Sequence, residues 1–267
     1  TVVFEKTYHY GSYDRGYYVE PTNDQGYIIT GHTSSPTYVN PYWRDIYTIK
    51  TNRYGDTLWT KIYYAYDRTF NDESFCVRQT TDGGYIIGGY VFYAPVWLPG
   101  WVRGYLIKID ANGGVVWKRI FAEEEMASCQ SVSQTEDGGF IITGSASRPE
   151  TASDVALLKI DANGNPLWVK YFDSHQEERP NERPSCEGGY WLEKTTDGGF
   201  IIVGRRIIGI YTDSINYYDD RDVYLIKTDG NGDTLWTRTY GGLKNEEGKF
   251  VQHTTDGGYI VIGATQS

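Results

Sequence analysis

The stretch TTDGGYIIGG, at residues 80–89, recurs four more times along the chain with small changes. The other copies begin at Thr22, Thr135, Thr195 and Thr254, so the repeat spacing is 55 to 60 residues. A second motif, such as DVYLIKTDGNGDTLWTRTY at 222–240, alternates with the first; its other copies span 45–63, 104–121 and 154–172. Repetition at this spacing is typical of folds that stack one supersecondary unit many times.

Each motif predicts a β-hairpin. In the first motif an alternating run meets Asp-Gly-Gly and returns as Tyr/Phe-Ile-Ile, and glycine supplies the positive φ that a tight turn needs. In the second, a run such as YLIKTD meets Gly-Asn-Gly-Asp and returns as TLWTRTY. Two successive hairpins make a four-stranded antiparallel unit of the size of a propeller blade. No segment carries the period of 3.6 residues that a helical repeat would require.

The sequence therefore predicts an all-β protein, a single β-propeller domain over residues 1–267 with five four-stranded antiparallel blades. The repeat units are 9–63, 64–121, 122–172, 173–240, and 241–267 together with 1–8. The N-terminal strand (1–8) is assigned to the last blade because Phe4 precedes Thr22 by the 18 residues that separate Trp236 from Thr254. An apolar position three residues before each motif threonine is expected to pack between blades: Val19, Val77, Val132, Leu192 and Val251.

The last blade has a candidate first and second strand but no third strand before Ser267. Three explanations stay open. Residues beyond Ser267 supply the strand, the N-terminal strand pairs directly with the second, or a neighbouring chain donates a strand to the open edge.

The second motif resembles known propeller repeats. The segments DANGGVVW, DANGNPLW and DGNGDTLW place Trp117, Trp168 and Trp236 once per blade, which is similar to the tryptophan-docked repeats of quinoprotein dehydrogenases. Paired with the first motif, they resemble the repeats of secreted or lipoprotein bacterial and archaeal β-propellers of undefined function. That resemblance implies a secreted or cell-surface location. A quinoprotein usually has eight blades and dedicated cofactor ligands, which five motif copies do not supply, so no cofactor is predicted.

Composition excludes several classes of partner. The chain has 267 residues, a formal net charge of −10 and a pI near 4.9, so it repels phosphate backbones and anionic lipid. No nucleic acid partner is expected, and no apolar run is long enough to predict a membrane span. The three cysteines, Cys76, Cys129 and Cys186, allow at most one internal disulfide, whose pairing is left open.

Aromatic residues mark one face of the predicted propeller. The loops between second and third strands, at 32–44, 90–103, 145–153 and 205–221, share a face on which binding sites are commonly built. The candidate partner-binding residues are Tyr42, Trp43, Tyr90, Phe92, Tyr93, Trp97, Trp101, Tyr211, Tyr217 and Tyr218. They favour contact with another protein, a glycan or further copies of the chain. The alternative is that these loops pack on their own blades as small cores.

Acidic residues enter the inner strands near the same face. Asp14, Asp72, Glu187 and Glu246 stand eight residues before their motif threonines. A ring of carboxylates could hold Ca²⁺. The competing interpretation is that each carboxylate accepts hydrogen bonds from nearby backbone amides.

The sequence thus favours a binding or structural assembly module, extracellular or on the cell surface, that acts through aromatic loops. The alternative is a carbohydrate-active hydrolase or lyase with carboxylates at the channel mouth, for which Glu20 and Glu193 complete the candidate set. No nucleophile or metal-protease motif supports an enzyme.

Overall fold

A computed structural model describes residues 4–34, 43–65, 71–93, 101–147, 153–172, 188–212, 217–242 and 244–266. These residues form strands and no helix, and none of them lies in a helix that could cross a membrane. Blade 1 holds β1 (Tyr13–Pro21), β2 (Tyr27–Ser34), β3 (Asp45–Thr51) and β4 (Thr57–Tyr63). Blade 2 holds β5 (Asn71–Gln79), β6 (Tyr85–Tyr93), β7 (Trp101–Ile109) and β8 (Val115–Ile120). Blade 3 holds β9 (Ser128–Gln134), β10 (Phe140–Ala146), β11 (Asp154–Ile160) and β12 (Pro166–Phe172). Blade 4 holds β13 (Gly188–Lys194), β14 (Phe200–Thr212), β15 (Tyr217–Thr228) and β16 (Thr234–Tyr240), and blade 5 holds β17 (Glu246–His253) and β18 (Tyr259–Thr265).

The strands of each blade pair in chain order as an antiparallel meander. The first strands of successive blades contact one another, and each also contacts the second strand of the preceding blade. The first strands are therefore the innermost and surround a channel. Across that channel the ring of Tyr18 in blade 1 lies 5.4 Å from the ring of Trp191 in blade 4. The predicted all-β propeller of four-stranded blades is confirmed.

The first hairpin of each complete blade is locked by a lysine from the third strand. The ammonium groups of Lys50, Lys108, Lys159 and Lys227 lie 2.8 Å from the turn carboxylates of Asp24, Asp82, Asp137 and Asp197, respectively. Each lysine also donates to the backbone carbonyl of the next residue. In each complete blade a mostly buried ammonium group thus has both a carboxylate and a backbone carbonyl as hydrogen-bond acceptors.

Apolar clusters between neighbouring blades form the core. Val77, Val132, Leu192 and Val251 lie in four successive clusters and are at most 2% exposed, as the sequence predicts. Val19 is an exception, because its side chain is 54% exposed. Its expected partner is blade 5, where Ile260 and Ile262 are 53% and 61% exposed. The prediction for Val19 is wrong because, within the described part of the chain, the facing surfaces of blades 5 and 1 are exposed.

Two of the cysteines lie in the cluster between blades 2 and 3. Cys76 and Cys129 are buried free thiols, and burial raises the pKa of Cys76 to about 12. Neither thiol is therefore a reactive nucleophile at neutral pH. Cys186 lies outside the described residues.

Two of the predicted aromatic loops are largely strand. In blade 2 the pairing of β6 with β7 extends to Tyr93 opposite Trp101, and in blade 4 that of β14 with β15 extends to Thr212 opposite Tyr217. The predicted loops at 90–103 and 205–221 are therefore wrong in length. Aromatic and β-branched residues favour the pleated surface, so they continue the hairpins instead of leaving them.

The segment predicted as the N-terminal strand of the last blade joins no sheet among the described strands. Residues 4–8 lie against blade 1, where Lys6 pairs with Asp56 at 2.9 Å and Tyr8 donates to the carbonyl of Gly55 at 2.8 Å. Among the described strands, β17 and β18 form a sheet of two. The described part of blade 5 is thus its inner half.

The lysine-locked turns make stability depend on pH in the acid range. Burial pushes the pKa of Asp82 upward, but hydrogen bonds from Lys108, Thr80 and the Gly84 amide outweigh it and lower the pKa to about 2. A carboxylate whose pKa is lower in the folded state stabilises the protein above its unfolded pKa of about 3.9. That contribution disappears as the pH falls towards 2.

We therefore expect Asp82→Asn to lower the urea midpoint of unfolding clearly at pH 7 and much less at pH 2. The reason is that at pH 2 the wild-type carboxyl is about half protonated in the folded protein and almost fully protonated in the unfolded chain, so little of the ion pair's contribution to folding is left. Asp256→Asn, at the matching turn of blade 5, is the control and should show a smaller difference between the two pH values. A cost of Asp82→Asn that does not change with pH would show that the ion pair contributes nothing to folding.

Candidate functional site at the upper channel mouth

We call the face that carries the second-to-third-strand loops the upper face, and the face that carries the hairpin turns the lower face. The predicted carboxylates at the upper face bind backbone amides. Asp14 accepts from the Tyr10 amide at 2.9 Å, and buried Asp72 accepts from the Ala65 amide at 2.9 Å. Glu246 accepts from the Gly242 amide at 3.0 Å and from the Thr265 hydroxyl at 2.9 Å. Glu187 lies outside the described residues, and within them no three His, Cys, Asp or Glu side chains group to hold a metal.

The predicted aromatic residues separate into different environments. Tyr90 is half-buried, with its ring 5.5 Å from Phe75. Trp101 packs against the cluster between blades 1 and 2 under the Arg103 guanidinium, whereas Phe92 is 37% exposed. Trp43 is half-buried just before β3. Of the remaining residues, Tyr93, Tyr211, Tyr217 and Tyr218 lie on β6, β14 and β15, and Tyr42 and Trp97 lie outside the described residues.

Glu73, one residue after the predicted Asp72, is the centre of a polar cluster at the upper end of the channel. Its side chain is 7% exposed and forms an ion pair with Arg44. The Tyr17 hydroxyl donates to Oε2 at 3.3 Å, and the Tyr90 hydroxyl is a further hydrogen-bond partner. Burial, followed by the charge of Glu73, raises the pKa of Tyr90 well above its usual range. This carboxylate is therefore fixed by three donors.

The same arrangement recurs between blades 4 and 5. The Tyr190 hydroxyl donates to Oε2 of Glu247 at 3.3 Å, and Lys249 and Arg205 lie 2.8 and 3.7 Å from the same carboxylate. Burial alone would raise the pKa of Glu247, but the hydrogen bond and charge of Lys249 and the charge of Arg205 lower it. In both clusters the tyrosine stands five residues before the threonine of one motif copy. The glutamate that it contacts stands seven residues before the threonine of the next copy. Sequence reasoning selected the neighbouring acidic position and missed both glutamates.

Cations lie over the tyrosine rings of both clusters. The Arg15 guanidinium is 5.0 Å from the ring centroid of Tyr17, and the Lys249 ammonium is 4.0 Å from that of Tyr190. Arg15 is exposed, and the side chains of Arg44 and Lys249 are 41% and 48% exposed. The mouth thus combines four cations with two carboxylates: Arg15, Arg44, Arg205, Lys249, Glu73 and Glu247. The exposed Arg15 and the partly exposed side chains of Arg44 and Lys249 thus present N–H donors to solvent beside these two carboxylates.

The buried side chain of His32 packs against the cluster around Glu73. The His32 ring stacks on Tyr13 at 5.8 Å and lies 5.4 Å from the ring of Tyr17. Both ring nitrogens are buried and make no hydrogen bond with the described residues. Burial lowers the pKa of His32, so the ring is neutral and acts as an apolar wall that fixes the Tyr17 ring.

Side chains from blades 1, 2 and 4 meet in the channel below the mouth. The Arg78 guanidinium stacks over Tyr18 at 5.2 Å and over Trp191 at 4.7 Å and pairs with Glu20 at 2.6 Å. Glu20 also accepts from the Gln79 amide at 3.0 Å. The second predicted channel acid, Glu193, accepts from the His253 amide at 2.9 Å. Both acids therefore link neighbouring blades. A cavity of about 570 Å³ at the lower end is lined by Arg78, Trp191 and Glu193 among other residues.

Comparison with known proteins leaves the function open. No family model matches the chain, and no curated protein matches it. The chain is similar to a solved protein of unknown function from Bacteroides caccae, with 12% identity over 85% of this chain and 84% of that chain and a TM-score of 0.41. It is also similar to a thermostable family-43 glycoside hydrolase, with 13% identity over 85% of this chain and 74% of that chain and a TM-score of 0.43. At these values the likeness carries no functional argument, and the assignment as a β-propeller rests on the strand topology.

Proposed function

We propose that the chain is a binding module, secreted or on the cell surface, whose upper channel mouth takes an acidic glycan. The observation that carries this proposal is the pair of exposed cations, Arg15 and Lys249, held over the rings of Tyr17 and Tyr190. Guanidinium and ammonium groups donate charge-assisted hydrogen bonds to carboxylates, and tyrosine combines a flat apolar surface with a hydroxyl. A sugar ring that carries a carboxylate matches both features.

Binding is favoured over chemistry because the central carboxylates are already engaged. A general acid or base must exchange a proton with substrate. Both oxygens of Glu73 are occupied by Arg44 and Tyr17, and Tyr90 is a third partner. The alternative, a carbohydrate hydrolase or lyase, is supported by the occurrence of Glu73 and Glu247 at equivalent positions in blades 2 and 5, since such enzymes use a pair of carboxylates.

The test is calorimetric titration with a galacturonic acid trisaccharide and with the neutral galactose trisaccharide. We expect the acidic ligand to bind and the neutral one to bind at least about tenfold more weakly. Arg15→Ala and Lys249→Ala should each weaken binding of the acidic ligand about fivefold, since each removes an exposed charge-assisted contact. Arg53→Ala is the matched control, because Arg53 stacks over Tyr54 at a lower-face turn.

Equal affinity for the two trisaccharides, or unchanged binding by Arg15→Ala and Lys249→Ala, would contradict the proposal. Chromatography of the incubated acidic ligand separates binding from turnover. Cleavage by the wild-type protein that is lost in Glu73→Gln would establish the enzyme instead.

A further inference from the structure

Two glutamates at the lower end of the channel bind backbone amides of the next blade. Glu20 of blade 1 accepts from the Gln79 amide of blade 2 at 3.0 Å, and Glu193 of blade 4 accepts from the His253 amide of blade 5 at 2.9 Å. Both glutamates stand two residues before a motif threonine, and both amides belong to the residue directly before the next motif threonine. A carboxylate of one blade thus satisfies an inward N–H group of the following blade.

Blades 3 and 4 have the same amide but no such carboxylate. There the residue before the motif threonine is Gln134 or Lys194, and the preceding blades have Arg78 and Ser133 at the position of the glutamate. The N–H group of each motif threonine bonds across its own hairpin at 2.9 Å. Successive N–H groups of a strand point to opposite edges, so those of Gln134 and Lys194 point into the channel. In the part of the chain that the structure describes, neither amide has an acceptor.

These two amides belong to residues that line the lower cavity of about 570 Å³, together with Arg78 and Ser133. Cavities of this size are typical of sites for small molecules. The Ser133 side chain is half-buried, and its hydroxyl makes no hydrogen bond with another described residue. The cavity therefore combines two backbone donors with an unused hydroxyl.

The charges around the cavity favour an anion. The Lys194 side chain is exposed and forms no ion pair with the residues that the structure describes. The Arg78 side chain is 27% exposed, and its guanidinium has further N–H groups besides the one that binds Glu20. The carboxylate in the lining, that of Glu193, is engaged by the His253 amide. The cavity is thus rich in donors and poor in free acceptors.

We propose that the lower cavity binds a small organic dicarboxylate. One carboxylate takes the place that Glu20 and Glu193 hold in the other blades, where it accepts from the Lys194 amide and the Ser133 hydroxyl. The second carboxylate accepts from the Gln134 amide beside the Arg78 guanidinium. Hydrogen bonds to an ionised carboxylate are stronger than those between neutral groups, so these donors select an acid over its amide. This site is separate from the upper channel mouth.

The test is calorimetric titration with glutarate and with glutaramide, which has the same carbon chain without the charges. We expect glutarate to bind at least about tenfold more tightly than glutaramide. Ser133→Glu supplies the missing carboxylate from the protein itself. It should therefore raise the urea midpoint of unfolding and weaken glutarate binding at least about tenfold, because its carboxylate occupies the Lys194 amide.

Gln252→Glu is the matched control. It adds the same charge to the lining of the same cavity, at the same repeat position in blade 5. Blade 1 has Pro21 where the other blades have the inward amide, and proline has no N–H group for the new carboxylate to bind. Gln252→Glu should therefore weaken glutarate binding only about twofold and leave the urea midpoint unchanged.

A second variant tests the site without filling it. Lys194→Gln removes an exposed ammonium but keeps the backbone amide, so the protein should fold normally and bind glutarate about fivefold more weakly. No binding of glutarate, or equal affinity for glutarate and glutaramide, would overturn the proposal. Unchanged glutarate binding by both Ser133→Glu and Lys194→Gln would place the ligand elsewhere and would also overturn it.

Discussion

Ile86→Ala is expected to lower the free energy of unfolding by about 2–5 kcal/mol, whereas Ile260→Ala should change it by about 0.5 kcal/mol or less. The two residues stand at the same position of the repeat, in TTDGGYIIGG and TTDGGYIVIG. Ile86 is fully buried between blades 2 and 3, while Ile260 is 53% exposed on the uncovered face of blade 5. Truncation leaves a cavity only where neighbours surround the side chain.

Urea denaturation of the two variants measures both values in the same buffer. Because the sequence around the two positions is nearly identical, differences in strand propensity cancel between them. Equal losses would show that blade 5 is covered in solution as the other blades are, and the exposed seam between blades 5 and 1 would then be wrong.

Gly144→Val is expected to destabilise the protein by about 3 kcal/mol or more. A Cβ at Gly144 would lie 1.7 Å from the backbone carbonyl oxygen of Ser128 and 3.0 Å from the Met126 sulfur. The clash is with backbone of the paired strand β9, so it cannot be relieved by a rotamer change. The two strands would have to separate near the register shift beside Gly144.

Gly83→Ala is the matched control for this variant. Gly83 has a φ of 81°, and a Cβ there meets nothing within 4 Å, so the substitution should cost only about 1–2 kcal/mol of backbone strain. Thermal unfolding of both variants by circular dichroism provides the comparison. A Gly144→Val protein as stable as Gly83→Ala would contradict the close strand approach.

The repeat made most of the fold predictable. Turn glycines and alternating runs indicate hairpins through local physics alone, and Val77 and Val132 are buried as their repeat position predicts. Val19 occupies the same position and is exposed, because burial depends on the surface of another blade. The sequence near Val19 does not indicate whether the surface of another blade covers the Val19 side chain.

The candidate site was harder to predict because it is built from residues that differ between repeats. The position seven residues before the motif threonine holds Arg15, Glu73, Ser128, Gly188 and Glu247 in turn. A comparison of the repeats draws attention to residues that recur, such as Asp14 and Asp72. These carboxylates bind backbone amides near the start of an inner strand. The pairing of Tyr17 with Glu73 joins two blades and becomes visible only when they are side by side.

Hydrogen–deuterium exchange with and without the galacturonic acid trisaccharide shows whether ligand binds at the upper channel mouth. We expect added protection at the upper ends of the inner strands, in peptides that contain Arg15, Glu73 and Lys249, and none at the hairpin turns. Added protection at lower-face turns such as 80–84 or 135–139, with the upper ends unchanged, would contradict it.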